Sequence, residues 1–198
     1  MKTTKLIWPL IFITSAGVAR AEVLYYEVDP GVSDVEFTAH ATTHDMEGKA
    51  GEFWGWLKID TETRAIQGKV EVKAHSLSSG NSMRDNNTYN LLEVDKYPTI
   101  ALAITGAEGS ALDSAATKED LVGKQVSVTL KANLTLHGVT NAVSVPITVD
   151  VHATSLKGSS SFKVMLTDYG VEPPKFALFE VEDEVDIRVT MSFKEKEE

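Results

Sequence analysis

The chain contains no cysteine. No disulfide, thiolate metal site or cysteine nucleophile can form, and no lipid anchor can be attached through an N-terminal cysteine, so packing alone must hold the fold. No Gly-x-Ser-x-Gly elbow occurs either. Long apolar runs are missing: the stretch LIWPLIFI (6–13) is broken by Pro9 and falls short of the ~20 apolar residues of a spanning helix. Basic residues are the minority, 19 Lys and Arg against 29 Asp and Glu, for a net charge of −10. Such a surface repels nucleic acid and anionic membranes. It is also the ordinary means of staying soluble, and names no partner.

The N-terminus has the layout of a secretory leader. Lys2 and Lys5 precede the short apolar run, and TSAGVARA follows with Ala19 and Ala21 in the small-residue positions of a cleavage site. Cleavage is expected after Ala21, giving a signal peptide over 1–21. The remaining 177 residues, 198 less 21, suit one domain with a real core. Losing Lys2, Lys5 and Arg20 takes the charge from −10 to −13. An exported chain without disulfides fits a bacterial periplasm, or release from the cell. The domain is expected over 22–193, with 194–198 (KEKEE, of which the first residue is Lys194) as a frayed, charged tail. No internal repeat, low-complexity tract or linker interrupts it.

Strict alternation dominates. Val35, Phe37 and Ala39 share one face, as do Val70, Val72 and Ala74. The longest row runs Val126, Val128, Leu130, Ala132, Leu134, Leu136, and others follow through Val143–Val151, Phe162–Leu166 and Val185–Phe193. Period two with one apolar face means antiparallel strands, wet outside and dry inside. About eight such runs joined by Gly-, Asn- and Asp-containing turns give an all-β chain, a closed barrel or a sandwich. The hairpin 125–137/142–152, with GVTN as its turn, has arms well beyond the ~5–6 residues of a mean strand, which favours an extended eight-stranded antiparallel barrel. Residues 84–95 lack alternation and are expected as one short helical or irregular segment, and 108–121 as an exposed connection.

The candidate reactive residues are few. His137 falls on the polar face by parity, beside Gly138, and reads as a local hydrogen-bonding residue because no nucleophile or acid is fixed against it. His40, His44 and Asp45 approach metal-ligand spacing, but HATTHD lacks the glutamate of a helical zinc motif and follows a strand. No metal or cofactor is therefore expected, and no catalytic residue. Arg84 and Asp85 are read as tying their segment down, Arg84 by pairing with a carboxylate elsewhere, with a cavity mouth as the alternative. Trp54 and Trp56 share a face opposite Phe53, so all three go inside only if a bulge intervenes at Gly55.

Several segments together resemble the YceI-like family: DPGVSDVEF (29–37), Arg84–Asp85, LLEVDKYPTIAL (91–102), LTLHGVTNAVSVPITV (134–149), FKVMLTDYGVEPPKF (162–176) and VEDEVDIRV (181–189). They occur in the family's order over nearly the whole mature chain. One departure is Asn87, where the family usually has a histidine. The resemblance implies a secreted, lipocalin-like eight-stranded barrel enclosing an elongated apolar cavity, which binds a long-chain isoprenoid or related lipid without chemistry. His137 then belongs to the family's Leu-Thr-Leu-His-Gly hairpin. Arg84, Asp85, His137 and Asp168 are expected as structural or cavity-mouth positions. By strand face, the expected lining is Phe37, Phe53, Leu57, Leu91, Leu92 and Ile100, continued by Leu102, Leu134, Leu136, Phe162 and Leu166. A filled barrel binding an envelope protein through Trp54 and Trp56, a homodimer, and an enzyme using His40, His44 or His137 stay open as alternatives.

Overall fold

Inward and outward rows can alternate for twelve or thirteen residues only if the sheet curls with them, and it closes on itself. The structure, a computed structural model, describes residues 22–115, 117–176 and 179–196. The expected leader, 1–21, lies outside these. The elements are β1 (Val23–Val28), β2 (Asp34–Ala41), β3 (Met46–Ala50), β4 (Phe53–Asp60), β5 (Ile66–Lys73), β6 (Leu77–Ser78), α1 (Ser82–Leu91), β7 (Thr99–Glu108), α2 (Ser110–Ser114), β8 (Gln125–Leu136), β9 (Val139–Val151), β10 (Ser155–Met165), β11 (Lys175–Phe176) and β12 (Phe179–Lys196). The ring runs β1-β4-β5-β7-β8-β9-β10-β12 and closes by pairing β12 with β1, all antiparallel. β2, β3 and β6 extend this wall beside the first half of β12. The expected eight-stranded antiparallel barrel, with one short helix in the non-alternating segment, is what the chain forms.

The first stave bends where the sequence reads DPGVS. Asp29 caps a short 3-10 turn, Pro30–Val32, its carboxylate accepting from the Gly31 N–H at 3.1 Å. Pro30 suits this first position because its missing N–H would go unused there. Ser33, buried, donates to the Asp29 carbonyl at 2.7 Å and accepts from the Ser192 N–H at 2.9 Å. One hydroxyl thus fixes the bend against β12.

Closure uses residues expected to fray. Lys194, Glu195 and Lys196 are the end of β12, pairing with Glu27, Tyr26 and Tyr25. Outward, Lys196 pairs with Glu27, and Lys194 with Asp29 at 2.5 Å. Two other expectations change. The hairpin turn is His137–Gly138, not GVTN: their φ values of 50° and 77° are the paired left-handed conformations of a two-residue turn, and Val139 already belongs to β9. No bulge forms at Gly55, because β4 pairs with β5 in unbroken register from Phe53↔Val72 to Ile59↔Ile66. Trp54 and Trp56 therefore point outward, 48% and 44% exposed.

Neighbouring staves approach closely at two glycines of this β4–β5 pair. A methyl group on Gly55 would lie 2.6 Å from the Lys69 carbonyl oxygen, and one on Gly68 2.6 Å from that of Trp56, whereas Gly106 has open space. Gly55→Ala and Gly68→Ala should each cost about 1–3 kcal/mol, and Gly106→Ala should stay within about 0.5 kcal/mol. Urea unfolding of the three variants checks this.

Candidate functional site: an apolar cavity through the barrel

The inward rows do not meet in the middle. They enclose a cavity of about 1030 Å³, at the upper end of the ~300–1,000 Å³ of small-molecule sites. Val126 and Leu136, both on its wall, are ten residues apart on β8. At about 3.3 Å per residue and a tilt of about 40°, they mark roughly 25 Å of barrel axis. The space is long rather than round. Phe37, Leu57, Leu91, Leu92, Ile100 and Leu102 line it, as do Leu134, Leu136, Phe162 and Leu166. Phe53 does not. It faces inward but packs between the two clusters of core side chains, one around Leu92, Leu134 and Tyr169, the other around Leu24, Tyr26 and Phe193.

One end is strapped shut. The segment 108–121 is expected as an exposed connection, but its described residues, 108–115 and 117–121, fold back over this end and put Leu112, Ala115, Lys118 and Leu121 on the cavity wall. Arg64, in the β4–β5 turn, holds this segment by donating to the carbonyls of Leu112 (3.2 Å), Asp113 (3.0 Å) and Ala115 (3.0 Å). Lys118 reaches Glu195 at 2.5 Å and lies 5.7 Å from the centroid of the Tyr26 ring. Burial works to lower the Lys118 pKa, but Glu195 and the Tyr26 hydroxyl outweigh it, and the ammonium is held above its ordinary range. Tyr26, 1% exposed, has its phenol pushed up chiefly by burial. Sequence reasoning missed Arg64, Lys118 and Tyr26, because nothing in local alternation signals contacts between residues 48 to 169 positions apart.

The other end carries α1. Asn81 caps the helix, accepting from the N–H groups of Met83 and Arg84 at 3.0 and 3.2 Å. The helix stops at Leu92 with Glu93 left-handed (φ 45°), and the Val94 N–H returns to the Tyr89 carbonyl at 3.1 Å. Tyr89 ties the helix to β6 through its hydroxyl, which donates to the Leu77 carbonyl at 2.7 Å. Asp85 accepts from the Ser79 N–H and hydroxyl, both 2.7 Å, and the Ser78 hydroxyl, 2.8 Å. Partial burial opposes ionisation, but these hydrogen bonds outweigh it and hold the carboxyl below its ordinary range. Arg84 lines the cavity and donates to the Ser79 hydroxyl and carbonyl, each at 3.2 Å. The expected carboxylate partner is not there: among the described residues Arg84 forms no ion pair. It reaches Ser79 because both lie on the same short loop-to-helix turn.

His137 sits beneath this end. Parity misplaces it, since a left-handed turn residue leaves the strand's alternation. Its side chain is 16% exposed. Nδ1 donates to the Tyr169 carbonyl at 3.2 Å, and the Tyr97 ring meets the imidazole edge-on with centroids 4.8 Å apart. Nε2 is buried without a hydrogen-bond partner among the described residues, 3.5 Å from a Glu93 oxygen. Tyr97 also covers Gly138, where a methyl group would lie 2.4 Å from its ring. Asp168 is exposed, does not line the cavity, and accepts through its carbonyl from Asn141 at 2.8 Å. The segments LLEVDKYP, LTLHG and TDYG therefore pack as one unit at the α1 end. His40, His44 and His137 are not brought together, and among the described residues no group of three His, Asp or Glu could hold a metal. The arrangement can enclose an apolar chain.

The family model for the YceI-like domain matches residues 26–193. Among solved structures, BcnA of Burkholderia cenocepacia is 18% identical, with a TM-score of 0.68 over 83% of this chain and 98% of its own. A polyisoprenoid binding domain from Saccharophagus degradans, implicated in plant cell wall breakdown, is 17% identical, with a TM-score of 0.67 over 86% and 98%. The Campylobacter jejuni YceI protein is 16% identical, with a TM-score of 0.61 over 80% and 90%. At these identities the likeness is one of fold. No curated protein matches the chain.

His40, weighed above as a ligand, is instead a clamp on the outer wall. Nε2 meets Asp186 on β12 at 3.0 Å, and Nδ1 meets Asp45, beyond the end of β2, at 2.9 Å. The hydrogen bond to Asp186 first, then that to Asp45, raises its pKa from 6.5 to about 9. A histidine pKa raised by folding adds stability that is complete below the unfolded value and is lost as pH rises through the folded one. The clamp should therefore hold at neutral pH and weaken between about 6.5 and 9. Nuclear magnetic resonance of the imidazole should give a midpoint near 9 in the native chain, returning toward 6.5 in Asp186→Asn.

Proposed function

The chain belongs to the YceI-like family, and from that premise we propose that it is a periplasmic carrier of a long-chain isoprenoid or similar apolar lipid, held in the barrel without chemistry. The observation that carries this reading is the cavity itself: about 1030 Å³, elongated, and walled by Leu, Ile, Val and Phe through most of its length. A long flexible chain fits such a shape better than a compact polar metabolite. Removing apolar surface from water is worth about 25 cal/mol per Å², less the cost of ordering the chain. The Saccharophagus degradans domain is described as polyisoprenoid binding, which supports the ligand class. The basic, apolar, small-residue start of the chain supports export, and the acidic surface suits a protein that keeps a water-insoluble chain in solution. No helix among the described residues is long and apolar enough to cross a membrane.

The outward Trp54 and Trp56 favour a second reading, a surface that binds an envelope protein. Trp54 donates to Glu71 at 2.9 Å, which keeps its ring on the outer wall. The two readings use opposite faces of β4, so they separate cleanly.

Native mass spectrometry of the periplasmic protein, followed by organic extraction, should reveal one bound lipid per chain. Leu102 and Leu134 are cross-strand partners on the cavity wall. Leu102→Trp and Leu134→Trp should fill the void and weaken lipid binding about tenfold or more, which is about 1.4 kcal/mol. Trp54→Ser with Trp56→Ser should leave lipid binding unchanged. A chain that stays empty after incubation with polyprenyl lipids removes the carrier reading.

A further inference from the structure

The face that α1 turns to the cavity is wrong for an apolar wall. Arg84, Asn87, Thr88 and Leu91 all line the space, at the i, i+3, i+4, i+7 spacing of one helix face. A helix covering an apolar cavity ordinarily presents apolar residues there. Here three of the four are polar, and Asn90 and His44 join the same rim. Among the described residues, the side chains of Asn87, Thr88 and Asn90 have no hydrogen-bond partner. Arg84 spends Nε and one terminal nitrogen on Ser79, and Nη1 has no partner among the described residues. The neighbouring Asp85 does not neutralise it by contact, because both its oxygens are taken by Ser78 and Ser79.

The strapped end is different. Its lining cations are occupied, Arg64 by three backbone carbonyls and Lys118 by Glu195. Unoccupied donors are thus concentrated at the α1 end. We propose that this end is a head-group site, and that the lipid held in the barrel carries a small anionic head of phosphate or carboxylate type, lying against Arg84 and Asn87 while its chain runs toward Lys118. A guanidinium offers planar paired donors to such an oxyanion, and beside a low-dielectric cavity its charge favours a counter-charge over a neutral group. Asn87 and Thr88 add donors one helical turn further on, at the position where the chain departs from the family's histidine. The partly exposed mouth is shielded from the acidic outer surface beyond about 8 Å at physiological salt.

This inference rests on the carrier reading and deepens it. The test titrates the mature protein with geranylgeranyl monophosphate, geranylgeraniol and inorganic phosphate. The native chain should bind the prenyl phosphate at least tenfold more tightly than the alcohol, and should not bind inorganic phosphate measurably. Arg84→Gln should erase that preference. Asn87→Asp, at an exposed position with no partner to lose, should do the same by charge repulsion without endangering the fold. Equal affinity for phosphate and alcohol in the native chain, or a preference that survives both variants, overturns the head-group site alone. Saturable binding of inorganic phosphate abolished by Arg84→Gln makes this a free-anion site and overturns the lipid assignment. Failure of both prenyl compounds to bind overturns the carrier reading, and the head-group site with it.

Discussion

The short antiparallel seam between β1 and β12 is the contact on which the cavity depends. Four residue pairs, from Tyr25↔Lys196 to Val28↔Phe193, turn an open sheet into a ring. An open sheet would curl until its inward rows touched, and would leave two edges of unpaired N–H and C=O groups. A closed ring has no edges, and its backbone ladder fixes the circumference. Inward side chains then pack against neighbours along the wall rather than across the diameter, and the middle stays open. The seam is itself protected on the inside: Tyr26 is buried there, and Glu195 is paired with Lys118 from the strap over the barrel end. Ring closure and end closure share one glutamate.

That double role explains what alternation could and could not reveal. The rows Val126–Leu136, Phe162–Leu166 and Val185–Phe193 were legible because period two reports which side of the sheet each residue takes, a local property. The row on β12 continues through Met191 and Phe193 to Glu195, but a carboxylate in an inward position reads as the start of a tail. Only its partner, 77 residues earlier, makes it a wall residue. Residues 108–121 failed for the same reason. Their polar composition describes the solvent side of a cover, while Leu112 and Leu121, which face the cavity, are too sparse to form a pattern.

His137 shows a different limit. Its neighbours in sequence assign it to the polar face, yet the left-handed turn it shares with Gly138 takes it off that face and sets it under Tyr97 and against Tyr169. Three segments that look like separate motifs are one packing unit, which seats the loop following α1. The aliphatic rows of the cavity strands were readable by face, whereas Phe53 was not: it is inward, but lies where the two core clusters already meet. A strand's parity gives direction, not depth.

The two ends of the barrel then differ for a physical reason. At the strapped end, Arg64 is spent on the carbonyls of Leu112, Asp113 and Ala115, and Lys118 on Glu195. At the α1 end, the helix is held by Tyr89 on its far side, by Asp85 at its start and by two of the Arg84 donors on Ser79, which leaves the Asn87 and Thr88 side chains without partners among the described residues. Arg84 and Thr88 are half-buried beside an apolar space, where a polar group loses part of its hydrogen bonding to water unless something returns those bonds. With one end braced by Arg64, Lys118 and Glu195 and the other rimmed by donors without partners, the proposed head-group site would give a bound lipid one direction: chain inward, head toward α1.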